Sequence, residues 1–292
     1  MKKLSYIKLI MSMVIFGTIG MFVVNIPASR SFVALVRGIV GALFLLAVAF
    51  ITKKRPSFAA IKKNIIPLAI SGALIGANWI LLFESYTYAS TAESTLIYYL
   101  SPVFVLILAA ILLGERITLV RAVCALTAVL GMVLMMWVEA LKWGSLLALG
   151  AAVLYALVVI TNKKFIRDIA PLDTTIMQLA FASLAILPYT LLTDNILGYS
   201  FDFGEVALLL LVGVLHTGFA YLFYFASVKG LKGQTVAIIS YLDPIVAVIL
   251  SFIFEDSFKP TVLIGAVLIV LSAVVSELFG NKGVSRQSTT NK

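Results

Sequence analysis

A chain that repeats itself after an odd number of membrane spans has few folds open to it. Shifted by 142 positions, the first half lies on the second. Phe83 falls on Phe225, Ser85 on Ser227, Gly76 on Gly218, Tyr99-Leu100 on Tyr241-Leu242, Pro102 on Pro244 and Ile107-Leu108 on Ile249-Leu250. A bilayer span needs about 20 mostly apolar residues. Ten such stretches are legible, near residues 7–25, 32–51, 65–85, 91–113, 118–137, 143–161, 174–193, 204–226, 234–254 and 260–279. Five per half is an odd number, so the second copy must enter the membrane upside down. The expected fold is therefore an all-α membrane protein of ten transmembrane helices, built as two inverted five-helix repeats. The expected repeats are residues 1–137 and 143–279, followed by a polar, disordered cytoplasmic tail, 280–292.

Composition supports a lipid environment. Apolar residues make up 62% of the 292 and charged residues 12%, against roughly 25% charged in a soluble domain. Almost nothing remains outside the spans to build a soluble catalytic domain. The net charge of +9 could suggest nucleic acid, but its distribution does not. With the N-terminus in the cytoplasm, 18 of the 22 Lys and Arg fall on the inner side, Arg30, Lys142 and Lys259 fall outside, and Arg37 lies within a span. That asymmetry is the positive-inside rule. It places both termini in the cytoplasm of a multi-pass inner-membrane protein, with membrane lipid and no nucleic acid as partner. The first span has the basic and apolar character of a signal peptide without a convincing cleavage site, and reads as uncleaved.

Several chemistries lack their signatures. No Gly-x-x-x-x-Gly-Lys-Ser/Thr loop is present for an ATP-driven pump. One His and one Cys, Cys124, cannot build a zinc site. No cofactor and no metal is expected, and no spacing singles out a catalytic triad.

The segment Tyr98-Tyr99-Leu100-Ser101-Pro102, running on to Leu113-Gly114-Glu115, returns in the second half as Ser240-Tyr241-Leu242-Asp243-Pro244. Together with two five-span halves, this resembles the EamA-type family of the drug/metabolite transporter superfamily, over the chain up to Leu278. The second half departs where Gly114-Glu115 would recur. It reads Asp256-Ser257, preceded by Glu255. The resemblance implies a central cavity lined by spans 1, 3, 4, 6, 8 and 9, with spans 5 and 10 behind. It also implies a cargo among amino acids, metabolites, nucleotide sugars and toxic cations.

The candidate site residues follow from depth and chemistry. Pro102 and Pro244 should break spans four and nine, since proline removes a backbone donor and clashes with the preceding turn. Ser101 and Asp243, each just before a proline, read as caps of half-helices near the midplane, where transporter folds place their sites. Intramembrane ionisable groups are functional candidates, so Asp243 and His216 are expected to couple transport to protons. Asn78, Trp79, Tyr99, Ser101, Tyr155, Tyr221, Tyr241 and Asp243 are the expected substrate-binding set, because aromatic walls stack on aromatic or cationic ligands. Arg37, Glu84 and Glu93 share one depth and are expected to form an ion pair or gate, with Arg37 alternatively binding a substrate carboxylate. Each residue also has a plain structural reading, as a cap, a packed hydrogen bonder or an interfacial aromatic.

These residues point to a secondary exporter of a small metabolite, amino acid or drug-like compound by alternating access, proton-coupled, acting as a monomer or homodimer. An uptake carrier, an intramembrane lipid-handling enzyme and a membrane scaffold stay open. A scaffold has no need of inverted halves, and an enzyme needs a convergent catalytic set that the scattered Asp243, His216 and Arg37 do not supply.

Overall fold

A computed structural model describes residues 2–54, 56–114, 117–139, 143–228, 239, 242–254 and 260–279. Tyr241, Glu115 and the tail 280–292 lie outside the described residues. The described chain is helical throughout. Its helices are α1 (Lys2–Val24), α2 (Arg30–Ile51), the short α3 (Phe58–Lys63), α4 (Ile65–Tyr88), α5 (Thr91–Tyr98), α6 (Ser101–Leu113), α7 (Leu119–Glu139), α8 (Trp143–Phe165), α9 (Pro171–Thr193), α10 (Phe203–Leu211), α11 (Ala220–Val228), α12 (Leu242–Phe254) and α13 (Pro260–Phe279). A π-helical stretch, Val212–Phe219, joins α10 to α11 in one continuous rod.

Among the described residues, seven segments are long and apolar enough to cross a bilayer: Lys3–Val24, Arg30–Ile51, Ile65–Tyr88, Glu93–Leu113, Trp143–Phe165, Pro171–Thr193 and Phe203–Tyr224. The apolar stretches Leu119–Gly131 and Leu263–Ser276 of α7 and α13 are shorter. The chain is a multi-pass membrane protein. Helices are the solution here because lipid offers no partner to backbone N–H and C=O groups, and a helix satisfies them internally.

The fourth stretch is interrupted before Pro102, as proline chemistry requires, but Ser101 is not the cap. α5 ends at Tyr98, and Leu100 stands at the cap position of α6 with Ser101 and Pro102 in its first turn. Leu100 keeps a helical backbone, with φ −73° and ψ −9°. The break is a kink rather than a fresh start, so no hydroxyl is needed to cap it. α6 ends on Gly114 at φ +69°, a left-handed turn that glycine enters without cost.

Packing is exchanged between the halves. α4, the third long helix of the first half, rests on α8 and α9, the first two of the second. The α10–π–α11 rod, its counterpart in the second half, rests on α1 and α2. α2 and α9 pack on each other, as do α7 and α13. Lipid tails give apolar side chains no reason to leave them, so small residues that admit close backbone approach drive such seams. A Cβ on Gly72 would lie 2.4 Å from Phe181 Cβ, and one on Gly76 2.8 Å from the Ala182 carbonyl. Gly131 on α7 approaches the Gly265 carbonyl of α13 in the same way, at 2.8 Å.

The α2–α9 pair is tied at both ends. At one end, the Ser29 amide donates to the Tyr199 hydroxyl at 2.8 Å. That hydroxyl donates to Asp194 at 2.7 Å, and Ser29 Oγ also donates to Asp194. At the other end, Ser57 N donates to Asp173 at 3.1 Å. Asn64 exchanges two hydrogen bonds with the Arg167 backbone, and Lys63 meets Asp168 at 3.2 Å.

Gly72→Leu should be poorly tolerated, because overpacking a close seam costs about 1–3 kcal/mol. Gly150→Ala should change little, since only Leu81 Cδ1 lies near, at 3.2 Å. Thermal unfolding of the purified protein in detergent checks both.

Candidate functional site: a charged pair of stations in a tyrosine-lined interior

The site is built around Arg37, which is 5% exposed. Glycine places it. A Cβ on Gly38 would lie 2.3 Å from Ser183 Oγ, and one on Gly41 2.4 Å from Thr217 Cγ2. α2 therefore runs close to both α9 and the π stretch, carrying Arg37 between them. The guanidinium stacks over Trp79 at 4.3 Å and over Phe83 at 5.2 Å. Its Nε donates to Thr217 Oγ1 at 3.1 Å, and that hydroxyl in turn donates to the Val212 carbonyl at 3.1 Å. The acceptor sits five residues back, the spacing of π-helical bonding, so the local widening is what turns Thr217 toward Arg37. Such π segments recur at functional sites.

The ion pair expected between Arg37 and Glu84 or Glu93 is not formed. Glu93 is buried and accepts from Ser145 Oγ at 2.8 Å. Glu84 faces Arg30, which donates to the Val23 carbonyl at 2.7 Å. Depth along the sequence placed these residues on one level, but the seams turn them onto different neighbours.

His216, next to Thr217, is fully buried. Its Nε2 lies 2.9 Å from Thr18 Oγ1, and that oxygen is also 2.8 Å from the Ile15 carbonyl. Phe22 covers the imidazole with ring centroids 5.0 Å apart. The Nδ1 makes no hydrogen bond of ordinary geometry, with the Leu211 carbonyl as its near polar neighbour.

Asp243 stands in the first turn of α12, with its side chain hydrogen-bonded to the Tyr99 hydroxyl. Tyr99 packs edge-on against Tyr98 at 6.0 Å, and Tyr98 against Tyr155 at 5.8 Å. Tyr98 is hydrogen-bonded to Asn78, whose amide donates to the Ala151 carbonyl at 2.6 Å. Phe16 packs on Tyr221 at 5.3 Å. Tyr86 and Tyr98 lie within electrostatic reach of both Arg37 and Asp243. Tyr155 keeps 42% of its surface accessible, with Tyr221, Tyr224 and Asp243 within electrostatic reach. Among the described residues Arg37 and Asp243 are not ion-paired with each other.

Asn78, Trp79, Tyr99, Tyr155, Tyr221 and Asp243 thus converge. Ser101 is buried in the first turn of α6, and Tyr241 lies outside the described residues. Sequence reasoning missed Thr217 and Phe83 as partners of Arg37. Thr217 adjoins His216 in a Gly-flanked stretch, Gly213 to Gly218, a pattern that permits irregular helix. Also missed was a neutral network in the opposite trio of helices. Gln178 Nε2 donates to Ser71 at 2.6 Å and to Asn162 at 2.7 Å, and Ser71 donates to Asn162 at 2.9 Å.

The profile of the EamA-like transporter family matches residues 3–137 and again residues 142–278. The chain belongs to the EamA-like transporter family. It is similar to the uncharacterized transporter YxxF of Bacillus subtilis (strain 168), 27% identical over 270 residues covering 89% of this chain and 84% of that one. It is similar to an uncharacterized transporter of Archaeoglobus fulgidus, 25% identical over 92% of this chain and 94% of that one. A shorter likeness, 33% over 104 residues covering 35% of this chain and 34% of that one, links it to the protein RarD of Salmonella typhi. A crystal structure with 17% identity superposes with a TM-score of 0.69, covering 97% of this EamA-like chain and 99% of the other, and shares its fold.

Thr217→Val should cost about 1.5–3 kcal/mol, the range for a hydrogen bond to a charged group. Thr193→Val removes an exposed hydroxyl bonded to its own helix, and should stay within about 0.5 kcal/mol. Denaturant titration of the two variants in detergent measures the difference.

Proposed function

We propose that this EamA-like protein is a secondary active transporter of the cell membrane that exports a small amphoteric metabolite, such as an amino acid, against inward proton flow. The observation that carries the reading is the pair of stations. Tyr86 and Tyr98 lie within electrostatic reach of both Arg37 and Asp243, and among the described residues those two charges are not ion-paired with each other. A carboxylate on the substrate would meet the guanidinium, and an ammonium would meet Asp243 against the aromatic faces of Tyr98, Tyr99 and Tyr155. Buried charges are costly without partners, so a ligand carrying both charges complements the site. Asp243, with His216 as a second group, takes and releases the proton. Binding proton and ammonium at one carboxylate makes them compete, which is the basis of exchange.

The exchanged packing of α4 and the α10–π–α11 rod supports an inverted relation of two five-helix repeats, ten spans in all, enclosing the site at their seam. Two near-equivalent halves can rock about such a site to open it to either face in turn. The distribution of Lys and Arg supports cytoplasmic termini. The neutral Ser71–Asn162–Gln178 network and the Arg37–Thr217 contact are read as the two gates, one in each trio of exchanged helices.

Purified protein in liposomes, with and without a pH gradient, tests the reading. Amino acids should exchange, and analogues lacking either the carboxylate or the amine should not compete. Asp243→Asn should abolish dependence on the gradient while leaving downhill exchange measurable, and unchanged coupling would refute the role of Asp243. Arg37→Gln should raise the KM for a carboxylate-bearing substrate by about 10-fold or more, the equivalent of one charged hydrogen bond.

A further inference from the structure

α1 and α12 cross at Gly17 and then part. A Cβ on Gly17 would lie 2.5 Å from the Asp243 carbonyl and 2.8 Å from Val246 Cβ. Beyond that crossing both chains advance in matched four-residue steps, Gly17 and Met21 on α1 with Asn25 just past its end, and Val246, Leu250 and Phe254 on α12. Residues at such spacing stack on one face of a helix. The later pairs do not close. They line a cleft of about 500 Å³, with Leu208 of α10 on the third side and Thr18 and Phe22 on the inner wall.

The cleft offers its occupant hydrocarbon. Of its two polar side chains, Asn25 turns its amide back onto the Met21 carbonyl at 2.6 Å, and Thr18 is engaged by Ile15 and His216. Its rim runs into an apolar exterior, with Phe254 67% exposed and, beside the lining residues on α12, Ile249 52% and Ile253 61% exposed. Two of its walls, α1 and α10, belong to segments fit to cross a bilayer. At about 30 Å³ for a group the size of water or a methylene, the cleft has room for a substantial part of one acyl chain.

We propose that this cleft seats one acyl chain of a membrane phospholipid, which wedges α1 from α12 beside the central site. The wedge bears on Thr18 and Phe22, and both touch His216, whose neighbour Thr217 holds Arg37. Chain occupancy therefore bears on the site from the side. This inference needs the membrane location and not the proposed substrate or coupling.

The test is photolabelling of the full-length protein in nanodiscs of phosphatidylethanolamine and phosphatidylglycerol, doped with a phosphatidylethanolamine carrying a diazirine on its acyl chain. Adducts mapped by mass spectrometry should be enriched at Met21, Leu208 and Leu250 over Leu126 and Leu130, which are exposed on α7 at 66% and 61%. Leu208→Trp, which fills the cleft, should abolish that enrichment while leaving the α7 adducts intact. The intact α7 adducts show that the variant is inserted, and Leu208→Phe gives the same reading in a smaller step. Equal labelling of the cleft and α7 would overturn the proposal, as would labelling indifferent to either substitution. So would rapid modification of Leu250→Cys, in a Cys124→Ser background, by a charged membrane-impermeant thiol reagent, because that outcome means the cleft holds water.

Discussion

A guanidinium held inside a membrane protein is the constraint around which this fold is arranged. Arg37 is almost fully buried and, among the described residues, forms no ion pair. Its shelter is made of weaker parts: two aromatic faces, one hydroxyl and the tight seams that keep lipid away. Each part needs the others. Trp79 reaches the guanidinium because Gly38 brings α2 within contact of it. Thr217 presents its oxygen because the helix widens to a π turn, and the widened rod fits against α2 because Gly41, Gly213 and Gly218 leave room. Cation–aromatic contacts gain strength when desolvated, so the aromatic pair is worth most where an ion pair would be hardest to form.

Hydrogen bonds tie α2 to α9 at both ends. Ser29, Asp194 and Tyr199 clamp one end, and Ser57, Asn64, Lys63 and their partners in and before α9 clamp the other. The α2–α9 pair is thereby a strut. Of the helices that carry the tyrosines and Asp243, α8 is also tied at both ends, by Ser145 to Glu93 at one and by Asn162 to Ser71 and Gln178 and Lys164 to the Leu112 carbonyl at the other.

Much of the fold was legible because the bilayer makes hydrophobic length the dominant signal. The stretch read as 260–279 coincides with α13, and those read as 65–85 and 204–226 fall within a few residues of α4 and the α10–π–α11 rod. The kink before Pro102 followed from proline's missing donor. The widening of the eighth stretch did not show, because i→i−5 bonding depends on which neighbour receives the freed groups, and that neighbour is α2, 180 residues away in sequence from Arg37 to Thr217. Depth and chemistry singled out Asp243, Tyr99, Asn78 and Trp79, and the structure sets Asp243 beside Tyr99 and Trp79 against the Arg37 guanidinium. Partnership was not legible. Arg37, Glu84 and Glu93 were expected on one level, yet they meet Thr217, Arg30 and Ser145 respectively, and a single sequence without its seams does not fix the rotations that decide this.

The exchange of helix partners also bears on biogenesis. When the first half has been threaded into the bilayer, the Gly72 and Gly76 face of α4 has nothing to close on, because its contacts Phe181, Ala182 and Ile186 are still to be synthesised. Gly41 likewise waits for Thr217. The close seams of α2 and α4 can therefore form only once α9 and the π-helical stretch have been made.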